Sequence, residues 1–192
     1  MNKMIWLTTL FVLFVVLVLP GIFASRLNLI PTADQPGYDS NRRLSIYGAR
    51  EVSQKFISED KNMAAIGTSV RNPNLQNKKD VTLNLYDENK NLIRTSTLNG
   101  QNIQDGDFIK FTFQPIVDSM GKTYSFTLSS PKANPEDTVE VFYFSTPTKD
   151  ILQYTYDQQL HPGGIPIVTF SKPDSKLEVI KKVYADWLLR VI

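Results

Sequence analysis

The chain has a single histidine, His161, in the segment Leu160-His161-Pro162-Gly163-Gly164, and no cysteine. One imidazole cannot supply the paired ligands of a histidine zinc site or of a His-Glu-x-x-His helix. Without thiols there is neither a thiolate nucleophile nor a disulfide framework. No Gly-x-Ser-x-Gly elbow occurs, and Gly163-Gly164 leads into the apolar run Ile165 to Phe170, which reads as a strand, so the pair lacks the helix that a phosphate loop needs. Two carboxylates could still meet across loops as a glycosidase pair, because that chemistry asks only for spacing in space. The acids here stand mostly in turn segments, where conformation alone accounts for them. The residues therefore point away from an enzyme and call for no cofactor.

Side chains suited to binding gather in one place. Tyr154 and Tyr156 lie two residues apart, with Asp157, Gln158, Gln159 and His161 close behind. Aromatic faces stack on sugar rings, amide, acid and imidazole groups fix hydroxyls, and a Gly-Gly pair admits close backbone approach. A saccharide-like ligand is expected at Tyr154, Tyr156, Gln158 and His161, with core packing of the two tyrosines as the competing account. The block Pro115-Ile116-Val117-Asp118-Ser119-Met120-Gly121-Lys122 reads as a strand end and turn in which Asp118 caps its own backbone and Gly121 takes positive φ. Asp118 could instead join Glu59-Asp60 around calcium. A hard cation wants about six to eight oxygens, and no dense acidic array is present, so no metal is expected.

These residues need a scaffold, and the hydropathy pattern supplies it. Short runs of period-two alternation recur, punctuated by Gly, Pro, Asn and Asp: Leu44 to Tyr47, Val52 to Ser58, Ala64 to Arg71, Val81 to Tyr86, Leu92 to Leu98, Phe108 to Phe113, Thr123 to Ser129, Thr138 to Phe144, Ile151 to Tyr156 and Ile165 to Phe170. Val81, Leu83 and Leu85 share one face, as do Ile109, Phe111 and Phe113, and Tyr124, Phe126 and Leu128. One face of each strand is buried and the other wet, which predicts a mainly β, jelly-roll-like antiparallel sandwich over 44–172.

The ends differ from this middle. Residues 4–25 carry no formal charge, and as a helix at about 1.5 Å per residue they reach roughly 33 Å, enough for a hydrocarbon core of about 30 Å. Segment 1–25 is expected to be an uncleaved signal-anchor in a lipid bilayer, with a cleaved signal peptide as the alternative. Either reading puts the rest outside the cytoplasm, on a cell membrane in the first case. Segment 26–43, with Pro31, Pro36 and Gly37, reads as a linker. Segment 173–192 reads as an amphipathic helix capped by Asp174 or Ser175, with Leu177, Ile180, Tyr184, Trp187, Leu188 and Val191 on its apolar stripe. That stripe can meet the sandwich, the membrane or a partner. Beyond the anchor stand 20 basic and 19 acidic side chains, scattered among one another, and nothing suggests nucleic acid.

The succession Gln54-x-Phe56, Leu83-x-Leu85-Tyr86-Asp87, Phe111-x-Phe113-x-Pro115-Ile116-x-Asp118-Ser119-x-Gly121-Lys122-x-Tyr124-x-Phe126-x-Leu128 resembles the jelly-roll, carbohydrate-binding-module-like sandwich attached to bacterial multi-spanning membrane glycosyltransferases and related envelope proteins. The likeness covers residues 52–131 best and 132–171 loosely. It implies an extracytoplasmic sandwich similar to carbohydrate-binding modules, and the expected function is non-catalytic binding of cell-envelope glycan. The alternative is a tethered scaffold that docks a membrane protein partner, such as a glycosyltransferase, through the sandwich or the terminal helix. The many spans and acidic loops of the transferases have no counterpart here, so their activity is not implied.

Overall fold

The computed structural model describes residues 3–146 and 153–191, with the side chains of the last helix described as far as Ala185. The chain divides into two compact units, one formed by residues 1–30 with 172–192 and the other by residues 31–171.

In the first unit, α1 (Lys3–Leu13), a π-helical turn (Phe14–Val18) and α2 (Leu19–Arg26) form one apolar helix, Lys3–Arg26, long and apolar enough to cross a membrane. Its two polar interruptions cost the helix little. Thr8 and Thr9 donate their hydroxyls to the carbonyls of Met4 and Ile5 at 2.8 and 2.9 Å, so neither is left without a partner in an apolar setting. The π turn ends at Val18, two residues before Pro20, which has no N–H to give to the helical ladder.

The last helix, α3 (Lys176–Val191), starts as the sequence predicts: Ser175 Oγ accepts from the Glu178 N–H at 3.2 Å, and the Glu178 carboxylate accepts from the Asp174 N–H at 2.9 Å. It runs back along α2. Lys176 Nζ donates to Leu27 O at 2.9 Å, Val179 is buried with Ala24 and Ile30, and the Tyr184 hydroxyl donates to Leu17 O. Of the expected stripe, Ile180 and Tyr184 meet the first helix and Leu177 does not. Val179, Ile180 and Val183 face the small cluster, whereas Leu177 stays 60% exposed. The expected stripe positions Trp187, Leu188 and Val191 fall outside the described side chains.

The second unit is a β-sandwich of two antiparallel sheets. Its strands are β2 (Arg43–Ile46), β3 (Glu51–Ile57), β4 (Met63–Arg71), β5 (Asp80–Tyr86), β6 (Leu92–Asn99), β7 (Asp107–Ile116), β8 (Thr123–Ser129), β9 (Val139–Phe142), β10 (Gln153–Tyr156), β11 (Gln159–Pro162) and β12 (Ile167–Ser171); a short β1 (Ile30–Pro31) stands where the division falls. One sheet has β4 at its centre, paired with β12 and β9 on one side and β7 on the other, and β9 carries β2. The other has the order β11-β10-β3-β8-β5-β6. The chain passes between sheets at almost every step from β3 to β10, which is the winding of a jelly roll.

Alternation explains the core. Val52 and Phe56 of β3, Val81, Leu83 and Leu85 of β5, and Phe126 and Leu128 of β8 point inward and meet Ile66 and Val70 of β4, Ile109 and Phe111 of β7, and Val139 and Val141 of β9. All ten expected strands are present, although Ile151 and Leu152 lie outside the described residues. Strand β11 was not foreseen, because Gln159 to Pro162 shows no alternating apolar residues and pairs only as the second arm of a hairpin. Pro115 does not end β7. The strand continues through it with a register irregularity opposite Met63 to Ala65, and Arg94 of β6 donates to the carbonyls of Gln114 and Pro115 at 2.9 and 3.4 Å.

The segment 26–43, expected as a linker, carries contacts of its own inside the second unit. The Thr32 N–H donates to Thr169 O at 3.0 Å, and the Tyr38 ring stacks on Phe142 at 4.1 Å.

Candidate functional site

Tyr154 and Tyr156 share a face of β10, and that face is the inner one. Tyr154 is 4% exposed, and its ring lies 5.5 Å from Tyr143 and 5.3 Å from His161, nearly parallel to the imidazole. Burial pushes its phenol up to about 12. Tyr156 is half-buried, donates its hydroxyl to Ser45 O at 2.9 Å, and receives the Arg50 guanidinium at 3.4 Å. Burial raises its phenol as well, and the Arg50 charge opposes the rise.

Of the two accounts left open for these rings, the packing one describes Tyr154, which is buried, and Tyr156 is packed only in part. Cross-strand pairing with Gln54 and Val52 of β3 fixes their parity, and at that parity they pack. Gln158 is exposed in the Asp157-Gln158 turn, where both residues take positive φ, at the opposite end of the hairpin from Gly163. His161 is half-buried against Tyr154. The Gly-Gly pair does admit a close approach, but by the chain itself. Gly163 has φ +97, a Cβ there would stand 1.9 Å from Phe144 O, and Gly164 and Phe144 exchange two backbone hydrogen bonds at 2.9 Å.

One residue away in register, the same hairpin contributes to a different surface. The outer face of the sheet β11-β10-β3-β8-β5-β6 holds a groove of about 960 Å³. Its floor carries the hydroxyls of Ser53, Ser125, Thr127 and Thr155 with the stem of Lys55, and Leu160 of β11 lines one side. Tyr86, at the end of β5, lines the other side with Asp87, Glu88 and Lys90 of the loop after it. Asp87 is held rigidly. Its carboxylate accepts from the Asn91 side-chain amide at 3.0 Å and from the Asn91 and Asn89 N–H groups at 2.8 and 2.9 Å, and these bonds, the side-chain one foremost, keep it below the usual carboxylate range.

Such a surface presents hydroxyl donors and acceptors along three strands, an aromatic side chain at one end and an ionised carboxylate beside it. It can receive an extended polyhydroxylated chain through hydrogen bonds and one ring contact. The alternation Thr82, Asn84, Tyr86 was visible in the sequence, yet polar outward positions look the same on any wetted sheet. Nothing in one chain's residues separates a binding face from a solvated one.

The turn 117–122 departs from its expected chemistry. Gly121 has φ +73 as predicted, but the hydrogen bonds organising the turn come from Ser119, whose hydroxyl donates to Asp60 O at 2.6 Å and accepts from the Met63 N–H at 3.0 Å. Among the described residues no three His, Cys, Asp or Glu side chains gather as a metal-holding group.

No protein-family model matches the chain, and no curated protein matches it. Among solved structures, a carbohydrate-binding module, CBM36 in complex with calcium and xylotriose, is similar to it with a TM-score of 0.33 and 8% identity, over 76% of this chain and 100% of that one. A likeness of that size leaves the fold and the site to rest on the strand pairing and side chains described above.

Proposed function

We propose that the sandwich binds a saccharide chain of the cell envelope in the groove on the outer face of β10, β3, β8 and β5, without catalysing a reaction on it, and that the helix Lys3–Arg26 anchors it in the cell membrane with the sandwich outside the cytoplasm. The observation that carries this reading is the groove itself: about 960 Å³ across four strands, floored by hydroxyls and closed at one end by Tyr86 beside the fixed carboxylate of Asp87. Stacking on one ring and hydrogen bonding along a strand-spanning floor is the chemistry by which an extended glycan is held.

The ligand role expected for Tyr154, Tyr156, Gln158 and His161 narrows accordingly. The hairpin β10–β11 lines the groove with Gln153, Tyr154, Thr155 and Leu160, and Tyr156 lies outside that lining.

The test is a glycan array of envelope polysaccharides and their oligosaccharides, read with the full chain in lipid nanodiscs. Wild type is expected to give signals that Tyr86→Ala reduces about tenfold, as for the loss of one stacking contact of about 1.4 kcal/mol, while Gln158→Ala leaves them unchanged. Silence of the wild-type chain across the array would overturn the glycan reading in favour of a tethered scaffold for a membrane protein partner.

A further inference from the structure

The end of the sandwich at which the chain enters and leaves can be identified within the second unit alone. Strand β12 ends at Ser171, opposite Met63 where β4 begins, and Thr32 pairs with Thr169 just before that end. The loops 58–62, 87–91 and 117–122 all belong to this same end, because β3, β5 and β7 finish there and β4, β6 and β8 start there.

Two of these loops are tied into one rigid tip. Ser58 N–H donates to Lys122 O at 3.0 Å, Gly121 N–H to Ser58 O at 2.8 Å, and Asn62 N–H to Val117 O at 3.0 Å, while Ser119, fully buried, bridges Asp60 and Met63. From this ordered frame Val117 and Met120 project into the open at 65% and 68% exposure, and Ile57, at the same end of the sandwich, is 58% exposed on the rim of the groove. Apolar side chains held out by a rigid loop contribute nothing to the core, and scattered single ones need no explanation. Two on one braced tip do.

Chain length says what covers them. Five residue steps separate Arg26, the end of the apolar helix, from Pro31, and at full extension they span at most about 17 Å. If the helix is the membrane anchor proposed above, Pro31, which enters the sandwich at the end that carries Val117 and Met120, is held within that distance of the bilayer surface. We infer that this tip rests in the outer leaflet, with Val117 and Met120 inserted among the lipid headgroups and upper acyl chains. The inference rests on the anchoring reading. Around the tip Lys61, Lys90 and Lys122 are outnumbered by Glu59, Asp60, Asp87, Glu88 and Asp118, so apolar burial rather than attraction to anionic lipid drives the contact.

The absence of cysteine makes the experiment clean, since each variant carries one thiol. Val117→Cys, Met120→Cys, Leu10→Cys and Lys132→Cys, the last at the opposite end, are labelled with an environment-sensitive fluorophore in the full chain. Each is placed in phosphatidylcholine nanodiscs containing spin-labelled lipid. Lipid quenching at Val117 and Met120 is expected to exceed that at Lys132 several-fold, to be strongest with shallow spin labels, and to persist unchanged when phosphatidylglycerol is added. Quenching at Leu10 without quenching at Val117 and Met120 overturns the tip contact and leaves the anchor standing; no quenching at Leu10 overturns the anchor itself. Labels at Val117 and Met120 that are shielded from aqueous iodide yet unreached by lipid quenchers also overturn the proposal, by showing a second copy of the chain on the tip.

Discussion

Tyr154 and Thr155 are neighbours in sequence and lie on opposite faces of β10, the first stacked inside the sandwich and the second on the floor of the groove. Residue types alone drew attention to the tyrosines, since phenol rings near amides and an imidazole are a binding composition. Parity was not legible for β10, because Gln153-Tyr154-Thr155-Tyr156 offers amphipathic side chains at every position and no aliphatic residue to mark the inner face. The buried phenol has a measurable consequence. The Tyr154 pKa is raised from 10.0 to about 12, so the folded state holds its proton longer than the unfolded chain does. Stability from this group is complete below pH 10.0 and is lost as pH rises from there through about 12. Urea midpoints followed into alkaline solution should fall across that window for wild type and fall less for Tyr154→Phe; identical profiles would place the phenol in water.

At the scale of elements, alternation told most of the story where aliphatic and phenylalanine side chains occupied every second position. Phe111 of β7 and Phe126 of β8 are both fully buried, as their runs predict. Changing either to Ala should destabilise the sandwich by about 3 to 5 kcal/mol, whereas Lys110→Ala and Thr127→Ala should change it by no more than about 0.5 kcal/mol. Chemical denaturation in detergent decides this, and equal losses at neighbouring positions would contradict the strand assignment. The elements that escaped sequence reading are those held by polar contacts without periodicity. Asn72 is an example: buried between strands, it donates its amide to the carbonyls of Asn77, Gly100 and Ile103 and accepts from the Asn77 N–H at 2.9 Å, binding two loops that look like ordinary polar turns. In α3 one expected stripe position, Leu177, stays outside the contact for a related reason. Leu177 is the more hydrophobic choice by type, but the partner surface is the small cluster of Ala24 and Ile30, which Val179 fits.

On the scale of the whole molecule, the proposed function has the apolar helix Lys3–Arg26 hold the sandwich at a membrane surface. The full chain should remain with membranes through carbonate extraction, and protease added from outside should reach the sandwich; recovery of a mature form beginning near Ser25 would contradict the anchor. The central claim, that the outer face of β10, β3, β8 and β5 receives a saccharide, is tested most directly by methyl NMR on the full chain in nanodiscs with labelled threonine. Titration with the oligosaccharide that gives the strongest array signal should shift the methyls of Thr123, Thr127 and Thr155, which line the groove, and leave Thr32, Thr68 and Thr169 of the other sheet in place. Saturable shifts confined to Thr32, Thr68 and Thr169, or no shift at any threonine, would contradict it.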